Sequence, residues 1–315
     1  MTLLAPMQPR VSAPPAEGLE ALVGNTPLLP LRRFAHLPTG VQVFAKAEWF
    51  NPGGSVKDRP ALNIIQTALA EGQLSGGRRL LDSTSGNMGI AYATFSAALD
   101  IPVTLAIPGN ASPERLAILR SLGAKLVLTD PLEGSDGAIL VARRLAEEQP
   151  ERYFYADQYN NPANWLAHYL STGPEIWQQT GGLVTHFVAG LGTSGTLTGV
   201  ARFLQEVQPE IEIVAVQPDA AFHGLEGLKH MPTAIRPGIF DPSLPDRTID
   251  VSTEAAYAMT LRLARREGLF VGVSSGAAAV AALQVASRVE HGVVVTLFPD
   301  AGYKYLSEKF WEAQP

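Results

Sequence analysis

"NPGGSVKDRP", residues 51–60, lies between a strand-like run, Val41-Gln42-Val43-Phe44-Ala45-Lys46-Ala47, and a helix-like one, Pro60 to Ala70. Strand, glycine-bearing turn and helix in that order form the repeating unit of a parallel α/β sheet. Ser55 and Asp58 fit the S-x-x-D capping pattern, in which the hydroxyl takes one free amide and the carboxylate reaches back to another. The pattern predicts Ser55 as N-cap and Lys57 in the first helical turn. A cation is disfavoured there by about 0.3–1 kcal/mol, because that end of the helix dipole is positive. The dipole alone is too weak to keep an amine neutral near pH 7. Most lysines are solvated surface charges, but two glycines before this one let another molecule approach the backbone closely. A Schiff base accounts for the placement directly, because an imine to an aldehyde replaces the ammonium.

The same alternation runs outward in both directions. Strand-like segments fall at 41–48, 78–83, 102–107, 125–129, 153–156, 185–189, 211–216 and 293–298. Helix-like segments fall at 56–71, 87–99, 113–122, 136–148, 163–179, 194–207, 253–267 and 275–288. This predicts an α/β protein with mostly parallel sheets covered by helices on both faces. Residues 88–99 and 276–286 have almost no charged face, so both helices are expected to be buried. The segment from Asp219 to Thr248, rich in Pro and Gly, is long for a plain connector and reads as a functional loop.

Composition bounds the function. The chain has 315 residues, 46% apolar and 17% charged, the balance of a compact soluble protein. A net charge of −6 without a basic run argues against a nucleic-acid partner. No apolar stretch approaches the roughly 18 residues that span a bilayer. The first 18 residues, with one Arg and several prolines, read as a loose arm rather than a signal peptide. There is no cysteine, which excludes disulfides and thiolate metal sites and makes the cytoplasm the expected location. The six histidines show no metal-ligand spacing, so no metal is expected.

Three clusters at helix starts carry chemistry. "GLGTSGT" (190–196) crowds amides and the hydroxyls of Thr193, Ser194 and Thr196 at a helix start, which suits a phosphate dianion. Gly190, Gly192 and Gly195 also spell G-x-G-x-x-G, which leaves a dinucleotide, and hence an NAD-dependent oxidoreductase, as a distant alternative. "STSGNMG" (83–89) offers Thr84, Ser85 and Asn87 to a substrate carboxylate, with ordinary capping by Ser85 or Asn87 as the plain alternative. In "GVSSGA" (272–277), Ser274 or Ser275 either caps the helix or presents a hydroxyl to a ligand. A lysine, a phosphate cup, an asparagine and a serine at helix starts together form the set that pyridoxal 5′-phosphate requires.

The motifs "GNTPL" (24–28), "NPGGSVKDR", "TSGN-x-G", "QYNNPAN" (158–164), "TGPEIW" (172–177), "GLGTSGTLTGV" (190–200), "EGLFVGVSSGA" (267–277) and "DAGYKYLS" (300–307) stand in one order across nearly the whole chain. In them the sequence resembles the fold-type II pyridoxal-phosphate enzymes, and within these the cysteine synthases (O-acetylserine sulfhydrylases). Residues 168–188 and 232–244 are more similar to cysteine synthase B than to the A form. The resemblance implies a tryptophan synthase β-like fold. Residues 46–155 would form a smaller mobile lobe, and 1–45 with 156–315 a larger lobe bearing the phosphate loop. It implies that Lys57 is the Schiff-base lysine and Asn87 the partner of the ring 3′-oxygen. Gly192, Thr193, Ser194, Gly195 and Thr196 would be the phosphate loop, and Ser274 the serine at the pyridine nitrogen. Thr84, Ser85 and Gln158 would hold the substrate carboxylate. The implied reaction is a β-replacement that makes L-cysteine or S-sulfocysteine from O-acetyl-L-serine and sulfide or thiosulfate, carried out by a homodimer. The alternatives on the same scaffold are an O-phosphoserine-using cysteine synthase and a cystathionine β-synthase.

Two positions depart from the family's pattern. Met88 stands where a threonine is usual, which removes a hydroxyl near the substrate carboxylate. Lys229-His230-Met231 replaces the Arg-Arg-Trp typical of the B form, and retains part of a positive charge suited to an anionic co-substrate.

Overall fold

The computed structural model describes residues 17–34, 37–84 and 86–312. Its strands are β1 (Leu28–Pro30), β2 (Gly40–Ala47), β3 (Arg79–Ser83), β4 (Val103–Pro108), β5 (Lys125–Thr129), β6 (Tyr153–Tyr155), β7 (Val184–Gly190), β8 (Glu212–Pro218), β9 (Arg247–Val251) and β10 (His291–Phe298). Its α-helices are α1 (Asp58–Ala70), α2 (Asn87–Ala98), α3 (Pro113–Ser121), α4 (Gly134–Glu148), α5 (Pro162–Ala167), α6 (Gly173–Gln179), α7 (Gly195–Val207), α8 (Thr253–Arg262) and α9 (Val273–Ala286). No helix among the described residues is long and apolar enough to cross a membrane.

The strands form two sheets, of order β1-β2-β10-β7-β8-β9 and β5-β4-β3-β6. Every pairing is parallel except β1 with β2. The parallel sheets predicted from the alternation are present, and apolar helices cover both faces of each. In the six-stranded sheet, α9 packs on one face with Val43, Val188, Val214 and Val294, and α7 on the other with Phe187, Ile213 and Val295. In the four-stranded sheet, α1 and α2 cover one face with Leu80, Leu105 and Ile107, and α4 covers the other through Ala138 and Ala142. The two uncharged helices are buried as expected: α9 exposes little of its length, and α2 is buried through Ser96.

The differences from the sequence reading have physical causes. The capping box does not form. The helix begins at Asp58, with Lys57 in the N-cap position. Ser55 is drawn into an isolated bridge with Asp300, and its hydroxyl accepts from Lys57 N at 3.3 Å. Gly54, at φ 79°, turns the chain so that Gly53 N, not Ser55 N, donates to the Asp58 carboxylate. The helix expected over 163–179 is α5 and α6 joined by a π-helical turn at His168–Thr172, and α8 likewise runs into a π-helical turn at Leu263–Glu267. Strands β1 and β9 were not expected. Both are edge strands of at most five residues, too short for an alternation to register.

Candidate active site

A cavity of about 340 Å³ opens where the two sheets face each other, and Lys57, Thr84, Asn87, Gln158, Gly192 and Thr193 all line it. A smaller one of about 50 Å³ shares Lys57, Asn87 and Gly192 and adds Thr196 and Ser274. The strand ends β2, β3, β7 and the starts of α1, α2, α7 and α9 thus deliver residues up to about 217 positions apart, such as those near 57 and 274, to one space. Ser85 lies outside the described residues. Ser194 and Gly195 line neither cavity, but they build the turn beneath them.

Lys57 sits at the join of the two cavities. Burial pushes its amine down from the ordinary 10.5 to about 8, with the Asp300 carboxylate opposing. Burial lowers the amine further than the dipole could. Asn87 donates from Nδ2 to Asp300 Oδ2 at 2.7 Å and accepts at Oδ1 from Lys304 Nζ at 2.9 Å. It does not cap α2. That start is closed by Thr84, whose Oγ1 accepts from Gly86 N and Gly89 N, each at 2.9 Å. Gln158 is fixed by its Nε2 on Ser83 O at 2.6 Å and its backbone N on Asp82 Oδ2 at 3.2 Å. Burial raises the Asp82 carboxyl to about 7 despite the backbone amides of Ser83 and Gln158 that donate to it.

The 190–196 turn joins β7 to α7. Ser194 takes the left-handed conformation, φ 68°, and its Oγ is buried without a partner. Asn164 Nδ2 ties the turn to the substrate side, donating to Thr193 Oγ1 at 3.1 Å and to Gln158 O at 2.7 Å. Thr196 Oγ1 lies 3.3 Å from His168 Nε2. Burial, then the charges of Arg59 and Lys57, hold His168 well below its ordinary value, so it is neutral. The first amides of α7 have no partner within the helix. Gly195 N donates to Thr193 Oγ1 at 3.3 Å; the unpartnered buried Ser194 hydroxyl at this helix start fits a phosphate, and a depressed lysine amine beside it fits an aldehyde. Neither Ser274 nor Ser275 caps α9, whose N-cap is Gly272. Ser274 lines the smaller cavity instead.

Sequence reading missed the ion pairs at the cavity mouth. Arg115, from α3, is buried; it pairs with Glu226 and lies over the Tyr305 ring at 4.7 Å. Lys229 Nζ meets Asp136 Oδ1 at 2.6 Å and lies over Tyr159 at 5.0 Å. The charge expected to remain at Lys229 is therefore already paired, and His230 turns away to Thr233 Oγ1 at 2.8 Å. Glu226 and Lys229 belong to the 219–248 segment, which does reach the cavity, through residues 223 and 225–229. Met88 lines the cavity too, its thioether occupying wall that a hydroxyl would make polar.

Comparison with known proteins gives a consistent result. The family model for "Pyridoxal-phosphate dependent enzyme" matches residues 19–300. A cysteine synthase of Aquifex aeolicus is 54% identical over 297 residues, covering 92% of this chain and 91% of that protein. Cysteine synthase B of Escherichia coli is 44% identical, covering 92% and 94%. Among solved structures, a cysteine synthase (OASS) of Entamoeba histolytica superposes with a TM-score of 0.92 at 34% identity, covering 100% of this chain and 95% of that one.

Proposed function

The chain belongs to the cysteine synthase family of pyridoxal-phosphate dependent enzymes, and from that premise we propose that it makes L-cysteine, or S-sulfocysteine, by β-replacement of O-acetyl-L-serine with sulfide or thiosulfate. The observation that carries the reading is the Lys57 amine, depressed by burial, lining both the larger cavity with Thr84 and Gln158 and the smaller one with Gly192 and Thr196. Pyridoxal 5′-phosphate, when bound, supplies an aldehyde for an amine and an electron sink for negative charge at the substrate Cα. Lys57 holds its aldehyde, the amides and hydroxyls of Gly192 to Thr196 its phosphate, Asn87 its ring oxygen and Ser274 its ring nitrogen. A neutral serine leaves that nitrogen unprotonated, which suits β-elimination better than transamination.

Thr84, Ser85 and Gln158 hold the substrate carboxylate and so fix which Cα bond faces Lys57. With its amine free, Lys57 would take the Cα proton as general base, and acetate would leave from Cβ. The sulfur nucleophile then adds at Cβ, and Lys57 returns the proton to Cα. An amine with a pKa near 8 is suited to both transfers close to neutral pH. Residues 46–155 are the lobe that closes over the substrate to exclude water, a role supported by a four-stranded sheet lying wholly within it. A homodimer is proposed on the family resemblance and a cytoplasmic location on the cysteine-free sequence, and light scattering of the purified protein tests the dimer.

The deciding experiment is borohydride reduction of the coloured protein followed by peptide mass spectrometry. The reading expects a pyridoxyl group on Lys57 and no turnover by Lys57→Ala; an unmodified Lys57 overturns it. A second reading, O-phosphoserine as amino-acid substrate, is favoured by the Arg115 and Lys229 side chains in the cavity wall. Glu226 and Asp136 already neutralise both, which places O-acetylserine first. Half-reactions with the two esters, followed by the cofactor spectrum, separate them.

A further inference from the structure

Lys304 is a second buried lysine next to Lys57, and the reaction above gives it no task. It is 1% exposed and lines neither cavity. Its Nζ donates to Gly54 O at 3.0 Å, to Gly53 O at 3.4 Å and to Asn87 Oδ1 at 2.9 Å. A buried ammonium is tolerated only when its protons find acceptors, and here the three acceptors match its three protons. Those acceptors come from two distant parts of the chain: the turn that precedes Lys57, and the first residue of α2. Lys304 itself follows β10. From the same segment, Asp300 Oδ2 takes the other end of Asn87 and also accepts from Tyr305 OH at 2.8 Å.

This arrangement fixes the orientation of the Asn87 amide. An ammonium has no acceptor, so the amide oxygen must face Lys304 and the NH₂ must face away. One hydrogen of that NH₂ goes to Asp300, which leaves the second for the cavity. The geometry points to Lys304 as a positioning residue that makes Asn87 a hydrogen-bond donor toward the cofactor and ties it to the turn carrying Lys57. The inference rests on the cofactor reading above, yet Lys304 acts through Asn87 and Gly54, without touching the cofactor. Without Lys304 the amide is held through Asp300 alone, and both its second anchor and its tie to the turn carrying Lys57 are lost.

The test compares Lys304→Met, Lys304→Gln and Lys304→Arg with the parent holoprotein. Lys304→Met is expected to bind pyridoxal phosphate roughly ten-fold more weakly, the scale of a lost hydrogen bond to a charged group. Its cofactor absorption band is expected to move, because the donor to the ring oxygen is no longer held from both ends. In the cofactor-free protein, amide exchange at residues 51–57 and 87–90 is expected to quicken. Lys304→Arg, which keeps the cation, is expected to return band and affinity toward the parent. A folded Lys304→Met with the parent's band and affinity, within about two-fold, overturns the inference. Lower thermal stability with an unmoved band also overturns it, since that is the signature of packing alone. If the Met variant does not fold, Lys304→Gln, which keeps a donor but not the charge, is judged by the same criteria. If the parent itself takes up no pyridoxal phosphate, the cofactor reading fails first. Unchanged exchange in the cofactor-free variants would then overturn the hold of Lys304 on the turn.

Discussion

A lysine whose amine is depressed to about 8 announces itself chemically before any substrate is added. In the cofactor-free protein, acylation of Lys57 is expected to rise with a midpoint near pH 8, against about 10.5 for an ordinary lysine; peptide mapping across a pH series checks this. The sign for stability follows. Between about pH 8 and 10.5 the unfolded chain binds the proton that folded Lys57 has lost, so the cofactor-free protein gains stability as pH rises through that window. Lys57→Met removes this gain, which denaturant titrations at both ends of the window would detect. At Gly195 an added methyl overlaps Asn164 Oδ1, the residue that joins the 190–196 turn to Gln158. Gly195→Ala is therefore expected to weaken cofactor binding by roughly ten-fold or more, read by fluorescence titration. That Lys57, Asn87 and Ser274 meet at the cavities was legible because each stands in a glycine- or hydroxyl-rich cluster at a helix start. Arg115, Glu226, Asp136 and Lys304 were not. Each is an ordinary charged residue locally, and its meaning comes from a partner far away in sequence, 217 positions off for Lys304 and Asn87.

At the scale of elements, hydrophobic patterning found the strands and helices that pack on two faces, since burial leaves long apolar runs in β4, β7, β8 and β10. It missed β9, whose Arg247–Val251 alternates over only five residues at a sheet edge. The π-helical turns escaped it as well, because inserting a residue into a helix leaves local composition unchanged. Helix α9 shows what composition can reveal. Its run of alanines allows close approach, and at Gly276 a methyl overlaps Thr260 Oγ1 and the Ala256 carbonyl on α8. Gly276→Ala is expected to destabilise the fold by about 1–3 kcal/mol through forced separation of α8 and α9, measured by urea unfolding. The same shift displaces Ser274, two residues away, so cofactor affinity should fall with it.

Across the whole molecule, buried charge holds the layers in register. Arg59 meets Glu48 at 2.8 Å and Glu175 at 2.6 Å, and Lys46 meets Glu175 at 2.6 Å, which joins β2, α1 and α6 two residues from Lys57. Arg59→Met strands the Glu48 carboxylate in the interior and leaves Glu175 to Lys46 alone, and is expected to cost about 3–5 kcal/mol, read by chemical denaturation. Nearer the mouth, the Arg115–Glu226 and Lys229–Asp136 pairs link the 219–248 segment to α3 and α4 of the four-stranded layer. The order of strands has one more consequence, for how the chain is born. In the six-stranded sheet β10, among the last residues described, lies between β2 and β7. During translation at about 5–20 residues per second, β3 to β6 can pair while the ribosome is still at work, but β2 and β7 must wait for a neighbour not yet synthesised. A nascent chain stalled before residue 291 therefore offers the sheet in two pieces, β1-β2 and β7-β8-β9, with the β2 and β7 edges that β10 will join left bare. Chaperones have the most reason to hold it at that moment.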